Sequence, residues 1–546
     1  MSDTSQLVTA SQLWQDFDPL ACPLEYSVVK KVSENGVAFT SVVFTALSAQ
    51  DGKVRAVVTV AESLTRPNPK PSILYIPDYG KASKKALLEH FANIGYRVFA
   101  LNYGGAAPGE EFYTKYPPSL SHGEYAKAAD RLNTANHGAQ GASPFLWAQV
   151  ARRAITLIQE YPGTQTKTLA VIGNKSGANI AWQVAATDNR VTAFVPSFVA
   201  HQPISFDAEL PRERQQWYMA QECGVYAKML KCPVLFVGAA NSFYTPIETL
   251  PKTFELLPEA TKRAYAIAPL MNKKISAEVL SAIDVFVKGA LPKPPQISVL
   301  GNSVSILVDN PKNVKSAAVL YAVADNQPSF RNWERIPVTP DTKGAAAAAI
   351  SNHADTSVLA YAEVHYSGGY MLTSLPVEFV PPYPQNAAKN PGKVKKRVNI
   401  IYERKMGLAG FIAESDDAPF FMESESVFIA VGPNELKGLT VKDGDLSTYA
   451  LSDPVFRGHD GDLLRFDAAS FEAREANITL HVETEDGEIQ VFNAPFTLPG
   501  GEWQQFTFDI SNFKNAQNVP LKCWSFVKKT TFPDAAGMFF NNILWV

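Results

Sequence analysis

The residues best placed for chemistry lie in Thr168-Leu169-Ala170-Val171-Ile172-Gly173-Asn174-Lys175-Ser176-Gly177-Ala178-Asn179-Ile180-Ala181. The apolar run 169–172 reads as a buried strand, and a glycine turn and an Ala/Ile/Trp/Val helix pattern follow it. Strand, sharp turn and helix in that order make a nucleophile elbow. Strand and helix cross closely there, so the elbow needs a small residue two before and two after its centre. Gly173 and Gly177 meet that need and put Lys175 at the centre. A lysine cannot do the work of an elbow serine. Its ammonium also faces the positive end of a helix, which opposes a cation by a few tenths to about 1 kcal/mol. Lys175 reads either as a reactive or anion-binding amine or, the preferred reading, as a relic reaching solvent through an old cleft. Ser176 is the nearest hydroxyl, but as a nucleophile it would need Asn174 and Ala178 at the small positions. It would also stand one residue round the helix.

A serine nucleophile needs a histidine to take its proton, an acid to orient that histidine and amides to hold the oxyanion. In chain order the acid and histidine follow on loops after later strands. The loop after the strand 233–238 reads Ala239-Ala240-Asn241-Ser242-Phe243, with no carboxylate before Glu248. The loop after 263–268 reads Pro269-Leu270-Met271-Asn272-Lys273-Lys274, and no histidine occurs between His201 and His353. Neither Ser242 nor Asn272 is a base near neutral pH. His201 follows a strand at 192–198 and could face the cleft, with Glu110 and Glu111 in a loop on the same edge; a rebuilt site there is an open alternative that lacks a motif. His122 and His137 fall in a polar loop, His90 in a helix, and His353, His365, His459 and His481 beyond the region.

Positioning these residues requires a particular order of elements. Residues 13–66 alternate as antiparallel strands (27–31, 36–47, 54–61). Apolar strands at 72–76, 97–101, 169–172, 192–198, 233–238 and 263–268 then alternate with helices near 83–94, 145–160 and 276–288. That pattern predicts a mostly parallel, doubly wound α/β sheet covered on both faces over residues 1–290. Leu291-Pro292-Lys293-Pro294-Pro295 ends it. Short alternating strands over 296–380 predict a small β-sandwich, with the run 345–349 as a surface turn or strand end. A second linker runs from Pro381-Pro382-Tyr383-Pro384 through the basic 393–397, which reads as a solvated tether. Residues 398–546 alternate again, as a jelly-roll sandwich.

Length and composition agree with about three domains. The 546 residues are 46% hydrophobic and 19% charged, with net charge −3 and pI about 6.3, so no global field favours nucleic acid or anionic membrane. Thirty-eight prolines, 32 glycines and 11% aromatics suit turn-rich β structure. Cys22, Cys223, Cys232 and Cys523 have no metal-ligand spacing; Cys223 and Cys232 could pair, and scattered reduced thiols are the preferred reading. No metal or organic cofactor motif occurs. The N-terminus lacks the pattern of a signal peptide and no apolar run reaches spanning length. The expectation is a cytoplasmic protein, or a secreted one if the chain is processed.

The first 290 residues resemble the acetyl xylan esterase and cephalosporin deacetylase group of α/β-hydrolases. The resemblance rests on Leu13-Trp14-Gln15-Asp16-Phe17-Asp18, on the strand from Ile73 to Gly80, on the elbow, and on the segment from Pro233 to Phe243. It implies an α/β-hydrolase fold for this part, ahead of the two sandwiches read from strand alternation, with an oxyanion motif at Pro77-Asp78-Tyr79-Gly80, where the family has a His-Gly type. It sets Lys175, Ser242 and Asn272 at the nucleophile, acid and histidine positions, so all three depart from the family. Trp503-Gln504-Gln505-Phe506-Thr507-Phe508-Asp509-Ile510 and Asn541-Asn542-Ile543-Leu544-Trp545 resemble the ends of jelly-roll carbohydrate-binding modules. Trp503, Trp524 and Trp545 are core residues first and sugar platforms second. The expectation is a catalytically inactive, esterase-derived binding or scaffolding protein associated with polysaccharide, with Lys175, Tyr79, Trp503 and Trp524 as ligand contacts. An anionic small ligand at Lys175 is a further expectation, with no nucleic-acid or membrane partner. The rivals are an active carbohydrate esterase using Ser176 with His201, and an assembly protein unrelated to sugars.

Overall fold

In the computed structural model the strands of the first part of the chain join into one nine-stranded sheet. The residues described are 7–128, 135, 138–201, 210–242, 245–269, 276–324, 328, 331–350, 357–381, 398–406, 410–414, 427–484 and 486–546. The sheet strands are β1 (Ser27–Glu34), β2 (Val37–Ala49), β3 (Gly52–Ser63), β4 (Lys70–Ile76), β5 (Arg97–Asn102), β6 (Thr164–Asn174), β7 (Ala193–Ser197), β8 (Val234–Ala239) and β9 (Arg263–Ala268). Their order is β1-β2-β3-β5-β4-β6-β7-β8-β9. The pairs β1–β2, β2–β3 and β3–β5 are antiparallel, and β5-β4-β6-β7-β8 run parallel.

That division follows the sequence. The run Ile73–Ile76 and all of β5, β7 and β8 are buried, as strands covered on both faces must be. Half-buried and buried residues interleave along much of β2 and β3, and β1 is exposed throughout. Helices Lys85–Asn93, Ser143–Glu160 and Ser176–Thr187 cover the sheet, and the last of these buries Trp182 completely. Ahead of the sheet, the Arg152 guanidinium lies over both Trp14 and Phe17, 4.9 Å from each ring centroid, and Arg152 is ion-paired to Asp188 at 3.4 Å. The Leu13–Asp18 stretch thus fastens the start of the chain to the helix Ser143–Glu160.

The chain divides into two compact units: Met1–Gly238 with Thr249–Ala266 and Ala282–Pro292, and Ala239–Glu248 with Ile267–Ser281 and Lys293–Val546. Within the second unit, the strands Gln296–Leu300, Ser303–Leu307 and Ala345–Ala349 form a three-stranded sheet. Residues 345–349, expected as a turn or strand end, are a full strand paired to 303–307. Side chains this small leave no pattern from which the strand could be read. A five-stranded sheet is built on Val314–Val323 and Val358–Tyr366. Further along, a six-stranded and a five-stranded sheet enclose one apolar core in which Leu439, Phe466 and Phe540 from one meet Ile478, Phe492 and Phe532 from the other.

Candidate functional site

The turn after β6 has elbow geometry. Lys175 sits at φ 49° and ψ −118°, outside the regions open to most L-residues. Its N–H donates to the Ser197 carbonyl on β7 at 2.9 Å, and its carbonyl accepts from the Ala178 N–H at 2.8 Å. The two small positions are sterically required. A Cβ on Gly177 would lie 2.2 Å from the Pro77 carbonyl oxygen, and one on Gly173 would lie 2.5 Å from the Ala178 Cα.

Around that backbone, among the described residues, the Ser176 hydroxyl meets the Asp78 carboxylate and the Tyr79 amide. Lys175 is buried, with its Nζ 3.9 Å from Asp78 Oδ2. Asp78 follows β4 by two residues and turns its carboxylate onto the start of the elbow helix. Its Oδ1 accepts from the Tyr79 N–H at 2.9 Å, the Ser176 N–H at 3.3 Å and the Ser176 hydroxyl at 2.6 Å. The Tyr79 N–H also reaches Ser176 Oγ at 2.5 Å. The amide after the elbow residue and an amide from the earlier loop are the two groups that hold an oxyanion in such a site. Here one carboxylate takes both, and the Ser176 hydroxyl with them. An outside anion drawn to the Ser176 and Tyr79 amides meets them already engaged by a negative charge.

Tyr79 lies in an aromatic cluster, its ring 4.7 Å from Tyr125 and 5.7 Å from Trp147. Its phenol donates to the Tyr125 carbonyl. Ser242 is fully buried, and its Oγ has no hydrogen-bond partner among the described residues. Asn272, His137 and His353 lie outside the described residues. Glu248, the first carboxylate after β8, is held in a bidentate pair by Arg331 at 2.7 and 2.8 Å.

His201 is not paired with Glu110 or Glu111. Its Nδ1 is 2.9 Å from Glu222 Oε2, and its N–H donates to Thr253 Oγ1 at 2.9 Å. Glu222 caps the helix Cys223–Ala227, accepting from the Gly224 N–H at 2.6 Å and from the Cys223 thiol at 3.2 Å. The pair ties the loop after β7 to that cap. Sequence reasoning missed both Asp78 and Glu222 as partners, although a carboxylate in an oxyanion-type motif is itself a signal. All four cysteines are free, so Cys223 and Cys232 are not joined. Burial pushes the Cys232 thiol up to about 12 and Cys223 well above its ordinary value, which leaves both inert. No group of acids, histidines or cysteines among the described residues could hold a metal ion.

In the second unit, Trp524 is 1% exposed and packs edge-on against Trp545 at 4.9 Å, with its indole N–H on the Asp462 carbonyl. It is a core residue and presents no ring face to a ligand, which corrects its assignment as a contact. Trp545 is buried too. Trp503 is half-buried, rests on Gly438, where a Cβ would come within 2.5 Å of the ring, and donates to the Pro433 carbonyl. Gln505 lies on the same face of the strand two residues on, opposite Asp467, whose carboxylate accepts from Asn542 Nδ2 at 2.6 Å.

No protein-family model matches the chain, and no curated protein matches it. Among solved structures, an acetyl xylan esterase from Paenibacillus sp. R4 is similar at 15% identity, over 50% of this chain and 91% of that one, with a TM-score of 0.39. Acetyl xylan esterase 1 from Thermoanaerobacterium sp. JW/SL YS485 gives 13%, 49%, 89% and 0.37. A glucuronoyl esterase from Solibacter usitatus gives 13%, 49%, 91% and 0.32. At these identities and scores the functional reading rests on this chain's own geometry.

Proposed function

We propose that the first unit is an α/β-hydrolase scaffold that has lost its ester chemistry, and that the chain acts as a non-catalytic binding or scaffolding protein associated with polysaccharide. The observation that carries this reading is the Asp78 carboxylate. It occupies both amides that would stabilise an oxyanion and holds the Ser176 hydroxyl beside the elbow centre, where Lys175 stands. A carboxylate there repels the charge that develops in acyl transfer, and losing even one oxyanion donor costs an esterase roughly 100-fold or more in rate. The strand order, with β5 and β4 exchanged and β3 antiparallel beside them, supports the hydrolase arrangement.

The polysaccharide association is supported by the last sheets, which we read as a jelly-roll module with Trp503, Gln505, Asp467 and Asn542 on one face. An aromatic ring beside hydroxyl-reading polar groups is what a sugar site needs. The rival reading, an active esterase using Ser176, draws on the 2.6 Å Ser176–Asp78 hydrogen bond. It requires the same carboxylate to leave the amides during the reaction.

The test is hydrolysis of an aryl acetate and of acetylated xylan by purified wild type, Lys175→Ala and Ser176→Ala. Rates at the protein-blank level for all three support the inactive reading. Turnover by wild type that Ser176→Ala abolishes overturns it.

A further inference from the structure

The first unit contains a concavity that shares no lining residue with the elbow. It is an open cleft of about 360 Å³ over β1, β2, β3 and β5, walled by the helix Lys85–Asn93 and the loop 109–112. Its volume is within the range of small-molecule sites, about 300–1,000 Å³.

The walls are charged, yet most of the charge is internally matched. Lys30 pairs with Glu111, tying the loop to β1, and Lys85 pairs with Glu34, tying the helix to the same strand. Lys85 also lies over the Phe39 ring, 5.3 Å from its centroid. Glu110 is the wall carboxyl with no ion pair among the described residues; its hydrogen-bond donor is Asn102. Burial pushes its pKa up to about 7, with the Asn102 bond opposing, so near neutral pH it can either donate or accept. Ser41, Thr59 and Ser83 add hydroxyls around the same space.

We infer that this cleft is a saccharide-binding site, built for one or two neutral sugar units. A sugar ring offers an apolar face for Phe39 and hydroxyls that both give and take hydrogen bonds, which suits serine, threonine and a carboxyl near its midpoint. A multiply charged anion finds both lysines already paired. A purely apolar ligand would strand the polar walls without water. The inference rests on the polysaccharide reading above and gives it a location in the first unit.

The experiment is saturation-transfer NMR and calorimetry on the full chain, with xylotriose, cellotriose and a galacturonate trimer as probes. The variants are Glu110→Gln, Ser83→Trp on the loop before the helix Lys85–Asn93, and Trp503→Ala in the second unit, each checked for native circular dichroism. The expected result is binding of a neutral trisaccharide that weakens at least tenfold in Glu110→Gln and in Ser83→Trp and persists in Trp503→Ala. Binding unchanged by both cleft variants but lost in Trp503→Ala overturns the cleft assignment and leaves the polysaccharide reading standing. No binding of any probe by wild type or variants overturns both.

Discussion

The elbow and the cleft beside the helix Lys85–Asn93 both hold half-buried carboxylates, and they use them in opposite ways. At the elbow, Asp78 has three donors on one oxygen and an ammonium near the other. In the cleft, Glu110 has one side-chain amide donor and no cation partner among the described residues, so burial holds its proton on toward neutrality. A polar group whose partners are all supplied by its own chain has nothing left to offer a ligand; one left short of partners does. Under the two proposals above, this difference favours the cleft over the elbow as the place where a ligand is held.

The largest effect that tests this contrast comes from the elbow backbone. Gly177→Ala forces a Cβ to 2.2 Å from a backbone oxygen, which cannot swing aside as a side chain can. The expected loss is about 3 kcal/mol of stability, at the upper end for overpacking, read as a lowered denaturant midpoint of the full chain. A midpoint within experimental error of wild type would show that β4 and the elbow helix are not held as closely as described.

Second in size is the strain that Lys175 bears. A non-glycine residue in that region of φ and ψ costs about 1–3 kcal/mol, and a site without acyl chemistry gains nothing from it. Lys175→Gly should therefore raise stability by about 1 kcal/mol or more, net of the lost 3.9 Å attraction to Asp78. If Lys175→Gly instead lowers stability, the lysine makes contacts that outweigh its backbone cost, and the relic reading fails.

These positions also show what could be read from the chain and what could not. Gly173 and Gly177 are legible because steric crowding admits no other residue type, and an apolar strand followed by a helix pattern is a local signal. The parallel strands around them are legible for the same reason, as unbroken apolar runs. Asp78 was in view as part of Pro77-Asp78-Tyr79-Gly80, but its fold-back onto Ser176 joins residues 98 positions apart that share no periodicity. Glu222 likewise became the partner of His201 only through a cap, whereas Glu110 and Glu111 lay in a loop on the expected edge and went elsewhere. Trp503 and Trp524 look alike in sequence. One ends half-buried on a glycine and the other sealed beneath Trp545, because strand alternation tells faces apart but not which aromatic is covered.

A third prediction follows from the occupied amides. Asp78→Ala removes the internal anion and frees the Ser176 and Tyr79 N–H groups at the start of a helix, where an external anion is favoured by about 1 kcal/mol. Inorganic phosphate should raise the melting temperature of Asp78→Ala and leave wild type unmoved at matched ionic strength. Equal shifts in both proteins would mean that phosphate binds elsewhere and that Asp78 does not block the site.

The smallest expected effect is the pH dependence carried by Glu110. Burial raises its folded pKa from 4.5 to about 7, while the unfolded chain titrates near the ordinary value. Between those values the folded protein binds more protons than the unfolded one, so stability falls as pH rises. The contribution is fully present below about 4.5 and lost once pH passes about 7. The shift alone would amount to roughly 3 kcal/mol, but Glu110 borders an open cleft, and solvent screening reduces this to about 1 kcal/mol. Glu110→Gln keeps the shape and removes the titration, so its denaturant midpoint should fall less steeply than wild type's between pH 5 and 7. A bound neutral sugar that donates to the carboxylate would favour the ionised form and shift that window downward. Identical slopes in wild type and Glu110→Gln would mean that the carboxyl is ionised throughout, removing the proton that distinguishes this cleft from the elbow.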